Sequence, residues 1–337
     1  MTGAMTRAEK TMLTRRRLIE ISAAAAVVPF AAGRAPAAAR LTRWTGTAMG
    51  AQTSIVLAHP DEAEAQRIIE TARAEIARLE AIFSLYRDDS VVSRLNREGR
   101  VDLPPFDLLS LLSLADGIHG ATGGAFDPTI QPLWQLYARH FAEPGAAPGG
   151  PDPQAVAAAR ARTGWKNLAI DDATIRFSRP GMAVTLNGIA QGYATDRVAE
   201  LLRAEGLRNV LVNVGEIRAL GCHPDGRPWK AGLAEHGDGP AEERLDIAET
   251  ALATTAPRGT VLDAAGRVPH LIDPATSRPG GVWRRVSVLG PSAAIADGLS
   301  TAFAVMPQAA IREGLEQYPG YRVIGVDAAG VRLDLSA

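Results

Sequence analysis

Asp297 and Thr301 stand four residues apart in AIADGLSTAF. On a helix that spacing puts a carboxylate and a hydroxyl on one face. Two hard oxygen donors side by side suit Mg²⁺, with water or phosphate completing its shell. Both residues also have ordinary structural uses, Asp in an early helical turn and Thr bonding back to its own helix. His270, in VPHLIDPATSRPGG, lies three residues before Asp273, and its imidazole is a natural proton acceptor near neutral pH. TGGAFDPTIQPLW, residues 122–134, joins two glycines that allow close backbone approach to Asp127, which either accepts from a ligand N–H or caps the helix after Pro128. Tyr86, in FSLYRDDSVVSRLN, sits beside a polar turn, placed to stack on a flat ring or to fill the core.

VTLNGIAQGYATDRV, residues 184–198, reads as a strand that turns through Asn187 and Gly188 into a helix. Gly188 and Gly192 would let a ligand approach the backbone. No Gly-Lys-Ser/Thr follows, so the turn is not a P-loop. No Ser-His-Asp or Cys-His arrangement stands out, and His119, His223 and His236 are too scattered to form a zinc-like cluster.

The elements that must hold these residues follow from patterning. RWTGTAMGAQTSIVLA alternates like a strand or hairpin. DEAEAQRIIETARAEIARLEAIFS carries a helical stripe of Ile68, Ile69, Ala72, Ile76, Leu79 and Phe83 behind an acidic first turn. A short helix after the 86–90 turn and a second one ending at Gly120–Gly124 come next. FAEPGAAPGGPDPQ reads as a mobile surface loop. NLAIDDATIRFSRPGMAVTL reads as strand, turn, strand. The 184–198 stretch continues into a helix capped near Gly206. NVLVNVGEIRALG and WKAGLAE are strands, and RLDIAETALATTA is a strand pair. RVSVLGPSAAIADGLSTAFAVM is a strand leading into a helix, and YRVIGVDAAGVRLDL is a closing hairpin. Adjacent strand pairs with helices between them predict an α+β fold of mostly antiparallel sheets, not a doubly wound parallel sheet.

The chain has 337 residues, 46% of them hydrophobic, which is ample for a large core. A net charge of −1, with no long basic face, argues against a nucleic-acid binder. Cys222, the lone cysteine, can make neither an internal disulfide nor a Cys-rich metal site. Residues 1–40 form a separate unit. Arg15, Arg16 and Arg17 precede an apolar run from Ile21 to Ala32 and an Ala-rich exit, the layout of an export signal. The run is too short to span a bilayer, and Thr-Arg-Arg ahead of it resembles a twin-arginine signal. The expectation is an exported, periplasmic protein whose mature chain starts near Leu41 and has no transmembrane span.

Taken in order, TAMGA, FSLYRDDSVVSRLN, GGAFDPT, LNGIAQGYATD, LVNVGEIRALG, HLIDPAT and SVLGPSAAIADGLSTA resemble the ApbE family of FAD:protein FMN transferases. The resemblance covers nearly all of residues 41–337 and implies a single FAD-binding domain of T-fold-like architecture. Such enzymes bind FAD and Mg²⁺. A Ser or Thr hydroxyl of an acceptor protein attacks the FMN-side phosphorus, and AMP leaves. By this resemblance Met49 and Tyr86 line the flavin site, while Ala125, Phe126 and Asp127, with Ile272 nearby, hold the adenine-nucleotide end. The Gly188 carbonyl, Asp297 and Thr301 hold the metal, and His270 is the base or a phosphate contact. The helix after Gly188 is expected to face the pyrophosphate with its N-terminus.

The family's usual D-L-N-G-I-A-K-G-Y has Thr185 in place of its acid and Gln191 in place of its Lys, both at the FAD site. NVGEIRALG is one residue shorter than the usual N-V-G-G-D-I-R pattern, and ATTAPRG stands for A-T-S-G. Two other readings therefore stay open: an FAD-binding carrier or assembly protein, and a Mg²⁺-dependent FAD pyrophosphatase. By the same resemblance the acceptor is an exported protein with a Thr or Ser attachment site, such as a respiratory or electron-transfer subunit.

Overall fold

Ile55 and Leu57 are buried in one hydrophobic cluster and Val56, between them, in another. The same division separates Val210, Val212 and Val214 from Leu211. Side chains alternate across a strand, so this sheet is covered on both faces. The computed structural model describes residues 25–27, 40–235 and 241–337. Its main sheet has eight strands. They are β1 (Arg40–Ala48), β2 (Ala51–His59), β3 (Val210–Val214), β4 (Ile217–Leu220), β5 (Ala251–Thr255), β6 (Trp283–Gly290), β7 (Arg322–Asp327) and β8 (Arg332–Ser336). Their spatial order is their chain order, and every ladder is antiparallel. The α+β expectation holds.

The helices are insertions into this meander. Between β2 and β3 come α1 (Glu62–Phe83), α2 (Val91–Glu98), α3 (Phe106–Ala121), α4 (Gln131–Ala142), α5 (Pro153–Arg160) and α6 (Ala190–Ala204). Between β6 and β7 come α7 (Ala293–Phe303) and α8 (Gln308–Leu315). Asp61 starts α1 by accepting from the amides of Ala63 and Glu64. The apolar stripe expected for α1 is buried throughout, in the larger cluster with α3, α6 and α7. The sheet's other face is covered by a hairpin of Trp229–Leu233 and Glu243–Ile247.

Three local expectations change. Residues 182–186 form no strand. Val184 gives its N–H to Asn96 Oδ1 (2.7 Å) and takes Asn96 Nδ2 on its carbonyl (2.9 Å), so one side-chain amide stands in for a neighbouring strand. The two strands of RLDIAETALATTA are present but do not pair with each other, because Glu243–Ile247 pairs with Trp229–Leu233 and β5 lies between β4 and β6. The Pro- and Gly-rich stretch after α4 is the expected loop over residues 143–152 and changes only at its ends, where α4 runs to Ala142 and α5, capped by Asp152, begins at Pro153. The export signal expected over residues 1–40 lies outside the described residues except at Ala25–Val27, which pair with Trp229–Leu233 as a short strand, and at Arg40, which opens β1. No helix among the described residues is long and apolar enough to cross a membrane.

Candidate active site

Asp196, one turn and a half into α6, fixes the start of α7. Its carboxylate accepts from Ser292 Oγ (2.7 Å) and from the amides of Ala293 (2.9 Å) and Ala294 (3.0 Å), amides that the helix itself leaves without partners. Four residues earlier, the Gly192 N–H donates to Asp297 Oδ2 at 3.0 Å. A Cβ on Gly192 would lie 2.3 Å from the Ala293 carbonyl oxygen, so only glycine lets the two helices approach this closely. At Gly188 a Cβ would lie 2.8 Å from Thr301 Oγ1. Without one, the Thr301 hydroxyl stands 3.5 Å from the Gly188 carbonyl oxygen. Gly188, Asp297 and Thr301, which come from two distant segments, are thus brought together.

They line one cleft, whose empty volume is about 1030 Å³ with the open mouth included. Ala125, Phe126, Asp127, Thr185, Gln191, His270 and Ile272 line it too. Asp127 also does what its structural alternative required. It caps the 3₁₀ turn at Pro128–Ile130, accepting from Thr129 N (2.8 Å) and Thr129 Oγ1 (2.6 Å).

Met49 and Tyr86 do not line the cleft. Each is one bond behind it. The Met49 carbonyl accepts from Gln191 Nε2 at 3.0 Å, and the Tyr86 hydroxyl is hydrogen-bonded to the Asn187 side chain. The N-terminus of α6 is also less open than expected. The Ala190 amide goes to Leu186 O (2.8 Å), that of Gly192 to Asp297 and that of Tyr193 to Ile189 O (3.0 Å). Asp297 occupies the end of the helix that was expected to face a phosphate.

Two acids face this cleft from buried positions. Asp297 is 4% exposed, and burial pushes its pKa up to about 7. Glu216, 3% exposed at the tip of the β3–β4 hairpin, is raised well above the carboxylate range, first by burial and then by the charge of Asp297. Neither makes an ion pair among the described residues. Sequence reasoning missed Glu216, although it is the acid before Ile-Arg where the usual N-V-G-G-D-I-R also carries one, and also Asn187, Thr254 and Thr255. Among the described residues no three His, Cys, Asp or Glu side chains cluster as metal ligands. A carbonyl, a carboxylate and a hydroxyl fit a hard cation that keeps water or phosphate oxygens, not a structural zinc.

His270 sits on the opposite connection, between β5 and β6. Its Nδ1 lies 3.1 Å from both the Pro257 and Thr260 carbonyl oxygens. Carbonyls only accept, so Nδ1 carries the proton and Nε2 keeps a lone pair. Burial pushes the imidazole pKa down, favouring this neutral form.

The ApbE family profile matches residues 49–324. A Vibrio cholerae protein named FAD:protein FMN transferase is 33% identical over 250 residues, covering 70% of this chain and 74% of the relative. A Klebsiella pneumoniae protein of the same name is 28% identical over 291 residues, covering 81% and 82%. Among solved structures, the flavin transferase ApbE from Vibrio cholerae superposes with a TM-score of 0.74 at 29% identity, covering 89% of this chain and 97% of that one. The ApbE protein from Thermotoga maritima gives 0.76 at 26% identity, covering 87% and 96%. The profile match runs from β2 into β7 and takes in the helical insertions and every residue that lines the cleft, and the chain belongs to the ApbE family.

Proposed function

We propose that the protein is a FAD:protein FMN transferase that moves FMN from FAD to a Ser or Thr hydroxyl of an exported acceptor protein and releases AMP. The observation that carries this reading is the pairing, in one cleft, of a neutral His270 with the oxygen cluster of Gly188, Asp297 and Thr301. The names of the relatives support the same activity.

In this reading Gly188 O, Asp297 and Thr301 Oγ1 are the groups that would hold Mg²⁺. When bound, the ion offsets negative charge on the pyrophosphate and on departing AMP. Ala125, Phe126 and Ile272 provide the apolar wall for the adenine end. His270 Nε2 takes the proton of the acceptor hydroxyl, whose oxygen bonds to the FMN-side phosphorus. The bond from that phosphorus to the bridging oxygen breaks, and AMP carries that oxygen away. Nδ1 stays bonded to Pro257 and Thr260, which keeps the ring oriented through the transfer.

Incubation of the mature protein with FAD, MgCl₂ and a candidate acceptor tests the reading. AMP together with flavin on the acceptor is the expected result. AMP with free FMN would make the protein a pyrophosphatase, and no product at all would leave an FAD carrier. Export through the twin-arginine route, with residues 1–40 as the signal, is part of the proposal and rests on Arg15, Arg16 and the apolar run after them.

A further inference from the structure

We propose that Glu216 is a second acidic group of the cation site, supplying a charge that Asp297 alone does not. The inference rests on the reading above, in which a divalent ion sits at Gly188, Asp297 and Thr301.

Glu216 is held from several sides. Thr195 Oγ1 donates to its carbonyl at 3.0 Å. The hairpin turn before it is closed by the Gly215 N–H on Asn213 Oδ1 at 2.9 Å. Its own Oε2 accepts the Thr254 N–H at 3.1 Å. The β4–β5 ladder pairs only Arg218 with Ala251 and Ile217 with Leu252, so the Thr254 amide lies beyond its end, and the Glu216 side chain replaces the missing strand. That duty needs an oxygen and no charge, and a Gln would serve equally well. A carboxylate 3% exposed, lining the same cleft as Asp297 with no Lys, Arg or His partner among the described residues, is costly to keep charged unless a cation answers it. Asp297 has the same construction: one oxygen on the Gly192 N–H, the same deep burial and no ion pair. In the FAD-free protein two such acids neutralise a divalent ion, whereas one leaves it with excess charge in a site of low dielectric. The further oxygens of a hard-cation shell come from Gly188, Thr301, phosphate and water. Glu216 acts on the ion directly or through one of those waters, and in either case its charge is what counts.

The test uses mature, FAD-free protein and MgCl₂ alone, read by isothermal titration and by the rise in Tm with Mg²⁺. Glu216→Gln keeps the acceptor for Thr254 and removes the charge. It should raise the Mg²⁺ midpoint about tenfold or more and leave Tm in EDTA equal to wild type or higher. Glu216→Asp keeps the charge and should stay closer to wild type in Mg²⁺ midpoint. A Glu216→Gln protein with an unchanged midpoint overturns the proposal, and so does one that fails to fold, since either makes the residue a structural cap only. If Asp297→Asn abolishes the Mg²⁺ response while Glu216→Gln keeps it, Glu216 alone is rejected. If wild type itself shows no Mg²⁺ response, the cation reading falls and takes this proposal with it.

Discussion

The Gly192 N–H and the Asp297 carboxylate, 105 residues apart in the chain, meet at 3.0 Å. One oxygen of the acid is thereby spent on the first turn of α6, which orients the side chain and ties α7 to the Gly188 turn. Asp196 makes the reciprocal contact, from α6 to the amides of Ala293 and Ala294. Two helices that cap each other leave little freedom in where Gly188 O, Asp297 and Thr301 stand.

Asp297→Asn keeps an oxygen for the Gly192 amide but removes the charge. Turnover in Mg²⁺ should fall by about 100-fold or more, the upper end of losses caused by groups around a metal. Melting in EDTA should be unchanged or higher. Release of AMP followed against MgCl₂ concentration checks this, and a variant sharing the wild-type midpoint and plateau would place the metal elsewhere.

Stability without metal should depend on pH through Asp297. Its folded pKa, about 7, lies above its ordinary 3.8. Its contribution is therefore complete below the ordinary value and is lost as pH rises through 7, because the fold must then bury a charge. In EDTA the Tm of Asp297→Asn should exceed that of wild type by a margin that widens from pH 5 to pH 8. Excess MgCl₂ should close the margin. His270 has the opposite sign: its pKa is depressed below 6.5, so its contribution is present above 6.5 and is lost as pH falls below that value. The two groups are separated by measuring His270→Gln in the same series.

Gly188→Ala would place a Cβ 2.8 Å from Thr301 Oγ1. Overpacking of this kind costs about 1–3 kcal/mol. The specific expectation is a weaker Mg²⁺ response beyond what that loss of Tm explains, since Thr301 must move away from the Gly188 carbonyl. Equal Mg²⁺ midpoints in calorimetry would contradict it.

Tyr86→Phe separates two roles for this ring. A stacking residue would lose nothing when its hydroxyl is removed. A residue acting through Asn187 should lose one hydrogen bond, about 1 kcal/mol or roughly fivefold in FAD affinity, and Tyr86→Ala should add little more. Fluorescence titration of FAD against both variants distinguishes the roles.

Replacing Arg15 and Arg16 together by Lys should hold the precursor in the cytoplasm. Fractionation showing normal periplasmic accumulation would reject the twin-arginine route.

The antiparallel α+β character and the stripe of α1 were legible in the order of residue types. So was the shared face of Asp297 and Thr301. Each depends on neighbours within a strand or a few helical turns, where period 2 or 3.6 records which side is buried. Most of the residues taken from the family pattern line one cleft. What patterning could not carry was partnership across the chain. Val184 looks like a strand residue, but Asn96, 88 residues away, satisfies its backbone. Tyr86 looks like a ligand contact, yet stands behind Asn187. Glu216 looks like a polar residue at a hairpin tip, and only the packing of that tip against β5 and α6 buries its carboxylate in the cleft that Asp297 also lines. Burial and charge are properties of the assembled surroundings, and residues distant in sequence supply them.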